Sequence, residues 1–306
     1  SIVGPSDIDS DENHIYSELG FYYTQQGQAE LLERSVLTNN GKRMTGDSLF
    51  YDRNRGIGEA FQNVEFVDTI SKNMLTGDYC FYNQLTGYAF ATDKAVATDF
   101  SQGDSLFIHA DTLQLYTFHV NTDSVYREAR AYHKVRFYRT DIQGVCDSLV
   151  FSSKDSCLTL YQDPILWNGK QQLLGEEIMV YMNDSTIDWA HIQNQALSVE
   201  QLDSLNYNQV SGKDMKAYFE GGEMKQVDVD GSVRLVYFPM EKDSTLLGMN
   251  CSETSKLSMF LENRKLKKLA MSPKSNGTLY PMTQIPSAKM KLDNFAWFDY
   301  ARPLNK

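Results

Sequence analysis

Few side chains in this sequence stand at spacings that perform chemistry. The histidines are His14, His109, His119, His133 and His191. None falls into HxH or HExxH, the spacings that place two imidazoles on one metal, so they read as surface or turn residues. There is no GxSxG elbow, no GxxxxGKS/T loop and no GxGxxG after a strand. Asp7, Asp9 and Asp11, with Glu18 at the twelfth place, imitate a calcium loop. Glu12 stands where that loop needs glycine and no helix pattern flanks it, so a solvated acidic terminus is the plainer reading. Cys80, Cys146, Cys157 and Cys251 include no CxxC pair. Cys146 and Cys157 are spaced to meet across a hairpin, while four small buried residues is the ordinary alternative. Arg264, Lys265, Lys267 and Lys268 form a basic cluster, suited to a phosphate but more often the polar edge of a strand. Trp167, Trp189 and Trp297 are too dispersed for a sugar platform. No catalytic residue, metal ligand or cofactor site emerges.

One chemical feature does recur. Asp47, Asp78, Asp111, Asp147, Glu177 and Asp214 appear once per internal repeat. Stacked in register they would form a catalytic or calcium-binding ladder. Because the acid belongs to every unit and not to a special one, a structural role is favoured: each opens a strand and caps a turn through its side chain.

The elements that carry these acids repeat. Gly46-Asp47-Ser48-Leu49-Phe50-Tyr51-Asp52 aligns with Gly77-Asp78-Tyr79-Cys80-Phe81-Tyr82-Asn83 at an offset of 31. Looser copies begin at Asp104, Cys146, Gly175, Gly212 and Ser255. A second signature follows: Ala60-Phe61-Gln62-Asn63-Val64, then Ala91 to Ala95, Ala131 to Val135, and Val229 to Val233. Within units the apolar positions alternate with period 2, the strand period. Leu49, Tyr51 and Ile57 read as one face, opposite Ser48, Phe50 and Asp52. Turn residues recur at Asn39-Asn40-Gly41, Arg53 to Gly56, Asn121 to Asp123, Ser153 to Asp155, Asn168-Gly169, Asn183-Asp184 and Asp230-Gly231. Many short strands at that spacing form a sandwich, barrel or solenoid. Helix signals are scarce. Ser198 to Gln201 starts like a capping box with Leu202 and Leu205 behind it, unless it links two repeats. From Pro273 the prolines crowd and the repeat ends, which reads as a closing cap with loops.

The chain has 306 residues, 29 Lys+Arg and 40 Asp+Glu, for a formal charge of −11. That balance excludes simple electrostatic binding to nucleic acid or to an anionic membrane. Its 12% aromatic content with only 7 Pro favours strands over disorder. No apolar run approaches the roughly 20 residues of a membrane helix. The start at Ser1 without Met reads as a product whose leader has been removed.

With the repeats laid out, the sequence resembles the OstA-like family, which includes the periplasmic lipopolysaccharide-transport bridge and the N-terminal periplasmic domain of the outer-membrane translocon. The resemblance rests on Gly46 to Tyr51, on Asp104 to Leu113, and on the Ala-x-x-Asn-Val of 60–64. The ending, Phe295-Ala296-Trp297 with Arg302-Pro303, resembles that of the longer Bacteroidetes-type OstA-like proteins. It covers most of the chain, from about Phe21 to Pro303. It implies an all-β fold, an open antiparallel β-jellyroll (a β-taco) built from stacked repeats of about 30–40 residues. The expected organisation is a flexible acidic segment at 1–20, repeats over 21–200 and 201–272, and a cap at 273–306. The implied activity is non-enzymatic: carriage of lipopolysaccharide or a related lipid in the periplasm, with its acyl chains in an apolar groove. No cofactor and no nucleic-acid partner is implied. The expected partners are other Lpt-type jellyroll domains, joined through edge strands. By alternation the groove lining would be Leu49, Tyr51, Leu113 and Leu115, then Leu149 and Phe151, then Ile178, Val180, Met215, Ala217 and Phe219, and last Leu257, Met259 and Leu261. The competing expectation is a secreted right-handed β-helix enzyme acting on acidic polysaccharide. An acidic carrier of an anionic glycolipid must hold it by the acyl chains and leave the phosphates in solvent.

Overall fold

A computed structural model describes residues 1–9, 13–39, 41–70, 72–101, 103–183, 186–221, 223–241, 243, 245–263 and 265–305. The chain divides into two compact units, residues 1–140 with 148–154 and 304–306, and residues 141–147 with 155–303. Unit 1 holds β1 (Ile2–Asp9), β2 (Asn13–Tyr23), β3 (Gln28–Asn39), β4 (Lys42–Asp52), β5 (Ile57–Asp68), β6 (Asn73–Asn83), β7 (Tyr88–Asp99), β8 (Leu106–Phe118) and β9 (Tyr126–Tyr138). Each pairs antiparallel with the next, so the unit is a long meander. Strand β10 (Gln143–Ser152) contributes its second half to unit 1 and its first to unit 2.

Unit 2 continues with β11 (Cys157–Tyr161), β12 (Ile165–Asn168), β13 (Gln171–Leu174), β14 (Glu177–Asn183), β15 (Thr186–Gln193), β16 (Ala196–Gln201), β17 (Tyr207–Gly212), β18 (Asp214–Glu220), β19 (Glu223–Tyr237), β20 (Gly248–Glu262) and β21 (Lys265–Pro281). These form two half-sheets. One runs β11, β14, β15, β18 and the first half of β19. The other runs from β10 through β12, β13, β16 and β17 to the second half of β19. Strands β20 and β21 extend both. Every registered pairing is antiparallel. The antiparallel all-β expectation therefore holds, and the β-helix alternative, which needs parallel coils, loses its scaffold.

What folds the sheet is a corner in the middle of each strand. In alternate strands two successive residues take left-handed backbone: Gln62 and Asn63 (φ 56° and 50°), Asp93 and Lys94 (58° and 59°), His133 and Lys134 (62° and 53°), Asn194 and Gln195 (52° and 51°). Asn, Asp and His tolerate that region better than other side chains, which is why polar residues fill the second sequence signature. Opposite these pairs stand Gly46, Gly77, Gly175 and Gly212. A Cβ on Gly175 would lie 2.5 Å from Ile192 Cγ2, and one on Gly212 2.5 Å from Val229 Cγ1. The glycines are there for close approach. In unit 1 each ladder from β1 to β9 slips in register in mid-strand, as between Thr45 and Ser48 of β4.

The recurrent acids find their role here. Asn63 Nδ2 donates to Asp47 Oδ2 at 2.7 Å, Lys94 Nζ to Asp78 Oδ2 at 2.7 Å, and Lys134 Nζ lies 3.6 Å from Asp111 Oδ2. The role is structural, but Asp47, Asp78 and Asp111 sit in mid-strand and open no turn. In unit 2 the corner interrupts the strands, so Glu177 and Asp214 do begin β14 and β18, while Glu176 takes the corner bond from Gln195 Nε2 (2.7 Å).

Several expectations need correction. Residues 198–201 belong to β16, because the apolar period there is 2 and Ala196 to Val199 are buried on both faces. Ile57 pairs with Asp52 and shares its face, since the two-strand hairpin places it opposite and not beside Tyr51. Asp230-Gly231 is a corner inside β19, not a hairpin turn. The segment departing from the repeat begins after Pro281, because β21 runs through Pro273. Residues 1–20, expected as a segment ahead of the repeats, carry β1 and most of β2, and the compact units part near residue 140. Asp11 and Glu12 of the calcium-like loop, and Arg264 of the basic cluster, lie outside the described residues. All four cysteines are free.

Candidate functional site

In unit 1 the fold aligns one apolar face over many strands. Past the corner, Leu31, Leu49, Ala60, Cys80, Ala91, Leu113 and Ala131 stand directly opposite one another from β3 to β9. All are nearly excluded from solvent. Burial also pushes the Cys80 thiol up to about 12. The next row on that face is Tyr22, Ala29, Tyr51, Gly58, Tyr82, Ala89, Leu115 and Ala129. Even-numbered strands present a large side chain and odd-numbered strands a small one. The surface is therefore corrugated, with slots along β5, β7 and β9 between ridges two strand spacings, about 9.6 Å, apart. A Cβ on Gly58 would meet nothing within 4 Å.

Before the corner a second set shares the face that holds Ser35, Val64, Ala95 and Val135, all buried. It reads Ile15, Leu37, Met44, Phe66, Leu75, Ala97, Ile108 and Phe137 across β2 to β9. These residues are half-buried except Phe137 at 5% exposure. None of these rows carries a charged side chain.

The groove residues expected from the sequence fall as follows. Leu49 and Leu113 share the first row, Tyr51 and Leu115 the second. Leu149 and Phe151 lie in the unit 1 half of β10. In unit 2, Ile178 and Val180 (β14), Met215, Ala217 and Phe219 (β18), and Leu257, Met259 and Leu261 (β20) lie on one face of their half-sheet. The two units treat such residues differently. In the second row of unit 1, Tyr22 is 48%, Tyr82 41% and Leu115 36% exposed. In the unit 2 row through Val180 the central residues are closed, with Val180 at 7%, Ala190 at 6%, Ala217 at 2% and Val227 at 5%, while Leu158 and Met259 at its ends are half-buried.

The row from Ile15 to Ile108 has no place in the sequence expectation. Its signal was a phase break: Met44 and Leu49 are both inward, yet five apart, because the corner at Gly46-Asp47 shifts the alternation.

The other face of the same strands is aromatic. Rings follow one another from Phe61 to Tyr79 (5.0 Å between centroids), Phe90 (5.5 Å) and Tyr88 (5.9 Å), then to Tyr116 (4.9 Å). Their polar tips are paired within the face: Tyr79 Oη donates to Glu59 (2.7 Å), and burial, with that bond second, raises its hydroxyl to about 12. The Arg130 guanidinium covers Tyr116 at 4.6 Å and donates to Glu128.

Other polar clusters are small. His14 lies between Asp9 (2.7 Å) and Asp7 (3.3 Å), and the bond its ring donates to the Asp9 carboxylate raises its pKa. His191 Nε2 is 3.6 Å from Asp214, yet burial dominates and lowers its pKa. Among the described residues no group of three or more His, Cys, Asp or Glu is arranged to hold a metal ion.

Residues 8–98 match the family model described as OstA-like protein. That stretch lies within unit 1 and runs from the end of β1 through almost all of β7. No curated protein matches the chain.

Proposed function

We propose that this chain, OstA-like over residues 8–98, is a non-enzymatic periplasmic carrier that shields the acyl chains of lipopolysaccharide, or a related lipid, on its way to the outer membrane. The observation that supports this reading is the contrast in burial. The second inward row of unit 1 is uncharged and partly open at Tyr22, Tyr82 and Leu115, while Val180, Ala190, Ala217 and Val227 of unit 2 are buried. Each buried methylene stabilises a bound chain by about 0.8 kcal/mol, so roughly ten of them contribute near 8 kcal/mol. Nonpolar lining with no cation leaves the phosphorylated headgroup outside, in keeping with the charge of −11. The slots beside Tyr51 and Tyr82 give an acyl chain a direction, along the strands. Edge strand β1, which pairs only with β2 among the described residues, is the side on which a further jellyroll domain adds its own strand.

The experiment is site-specific photocrosslinking. A photoreactive residue at Tyr82, on the inward face, is expected to capture lipid in cells. The same residue at Phe81, on the outer face, is expected to capture none. Equal capture at both, or no lipid at either together with a lipid-free organic extract of the purified protein, overturns the reading.

A further inference from the structure

The hairpins β2–β3, β4–β5 and β6–β7 turn at one end of unit 1. Their loops are Thr24-Gln25-Gln26-Gly27, Arg53-Asn54-Arg55-Gly56 and Gln84-Leu85-Thr86-Gly87. The loops are tied to one another. The Arg53 N–H donates to the Gly27 carbonyl (2.9 Å), the Gln84 N–H to the Gly56 carbonyl (2.7 Å), and Asn54 Nδ2 to the Gln26 carbonyl (2.7 Å). They form a continuous rim fixed through its backbone. In a chain with 40 Asp+Glu against 29 Lys+Arg, this rim carries two arginines and no acid.

Other arginines are committed within the fold. Arg34 reaches Asp47 (3.3 Å) and the Asn63 carbonyl (2.8 Å), Arg234 reaches Asp293 (2.7 Å), and Arg302 reaches Gln143 (2.8 Å). Arg53 and Arg55 are exposed, and neither forms an ion pair among the described residues. The acid beside them, Asp52, is 2% exposed, and its carboxylate accepts from Gln28 Nε2 (2.9 Å) and from the Arg55 N–H (3.0 Å). The Arg55 charge acts on Asp52 less than these bonds do.

This rim adjoins the slot along β5. Tyr51, Gly58 and Tyr82 stand directly opposite one another there, and Gly58 leaves the space open. Arg53 lies two residues beyond Tyr51 and Arg55 three before Gly58, so at most about 7 and 11 Å of chain separate them. The slot's other end is the corner at Gln62-Asn63, where the cation, Arg34, is already taken by Asp47. An amphiphile with its apolar chain in the slot meets uncommitted positive charge at the hairpin end. The planar guanidinium fork matches a phosphate better than a lysine does.

We propose that Arg53 and Arg55 hold a phosphate group at the hairpin end of the β5 slot, so that a bound acyl chain lies along β5 with its phosphorylated end at the rim. The inference rests on the reading of unit 1 as a lipid carrier and adds to it a direction and a headgroup contact. The uncharged lining excludes the phosphate from the slot, and the rim receives it.

The test measures binding of two synthetic probes to the full chain, an acylated disaccharide phosphate and the same acylated disaccharide without phosphate. The phosphorylated probe is expected to bind at least about tenfold more tightly. In the double variant Arg53→Gln and Arg55→Gln that preference is expected to vanish, with the urea midpoint unchanged because both side chains are exposed. The double variant Lys72→Gln and Lys274→Gln removes the same charge from other exposed positions and is expected to keep the preference. Loss of the preference in both variants, or in neither, overturns the rim site while the lipid reading stands. Inorganic phosphate that displaces the phosphorylated probe at equal concentration shows a site for free phosphate and overturns the link to the slot. Binding of neither probe overturns the carrier reading, and this inference with it.

Discussion

Gly58 and Tyr82 face each other across β5 and β6, one leaving space and the other standing beside it. Because a Cβ at Gly58 meets nothing within 4 Å, Gly58→Phe is expected to fill the slot and cut lipid carried through purification severalfold, read by mass spectrometry, while the thermal midpoint holds. A sharp drop in that midpoint would show the slot already filled by protein. Thiols give a second residue-level check. Burial holds Cys80 and Cys146 near 12, so neither reacts with iodoacetamide at pH 8 in the native protein, and both do in denaturant. Labelling of either without denaturant would show its row open to water. The alternation at Leu49, Tyr51, Leu113 and Leu115 was legible because period 2 needs only local sequence. The partly open state of Tyr82 was not, since exposure depends on packing between residues distant in sequence.

At the scale of the element, both repeat signatures are corners. Their recurrence could be read directly, since left-handed backbone selects Asn, Asp, His and Gly wherever it occurs. Their place in mid-strand could not, because an acid beside a glycine also suits a turn. Gly212→Ala is expected to destabilise the protein by about 1–3 kcal/mol, since its methyl group meets Val229. Urea denaturation measures it, and a loss below a few tenths would show that the close approach is dispensable. The exposed bond from Lys94 to Asp78 is a lesser matter. Asp78→Ala is expected to leave the urea midpoint close to that of the parent protein, because an exposed ion pair is screened by solvent.

For the whole molecule, acid is the informative variable. The Gln28 amide and the Arg55 N–H hold the Asp52 carboxyl below its usual range, and the Thr140 hydroxyl does the same for Asp104. Lys267 holds Glu262 low as well. Groups with depressed folded values stabilise the native state above the ordinary carboxylate range. That contribution is lost as the pH falls through about 4 and then through the lower folded values. Relief of the excess negative charge works in the opposite direction. The urea midpoint is expected to fall between pH 6 and pH 3, and less steeply in Asp52→Asn. An identical slope in that variant would remove Asp52 from the account.

The strand period, the repeat, the acidic surface and the OstA-like resemblance all follow from residues near one another in the chain, and the sequence alone determined them. The tertiary structure decided what depends on partners distant in sequence. It decided that the strands of unit 1 break register at their centres, that Met44, Phe66 and Ile108 stand in one row across the ladders, and that Tyr22, Tyr82 and Leu115 stay partly exposed where Val180 and Ala217 are buried. It also decided that the hairpin loops at 24–27, 53–56 and 84–87 join in one rim, since a β ladder brings together residues that no local pattern connects.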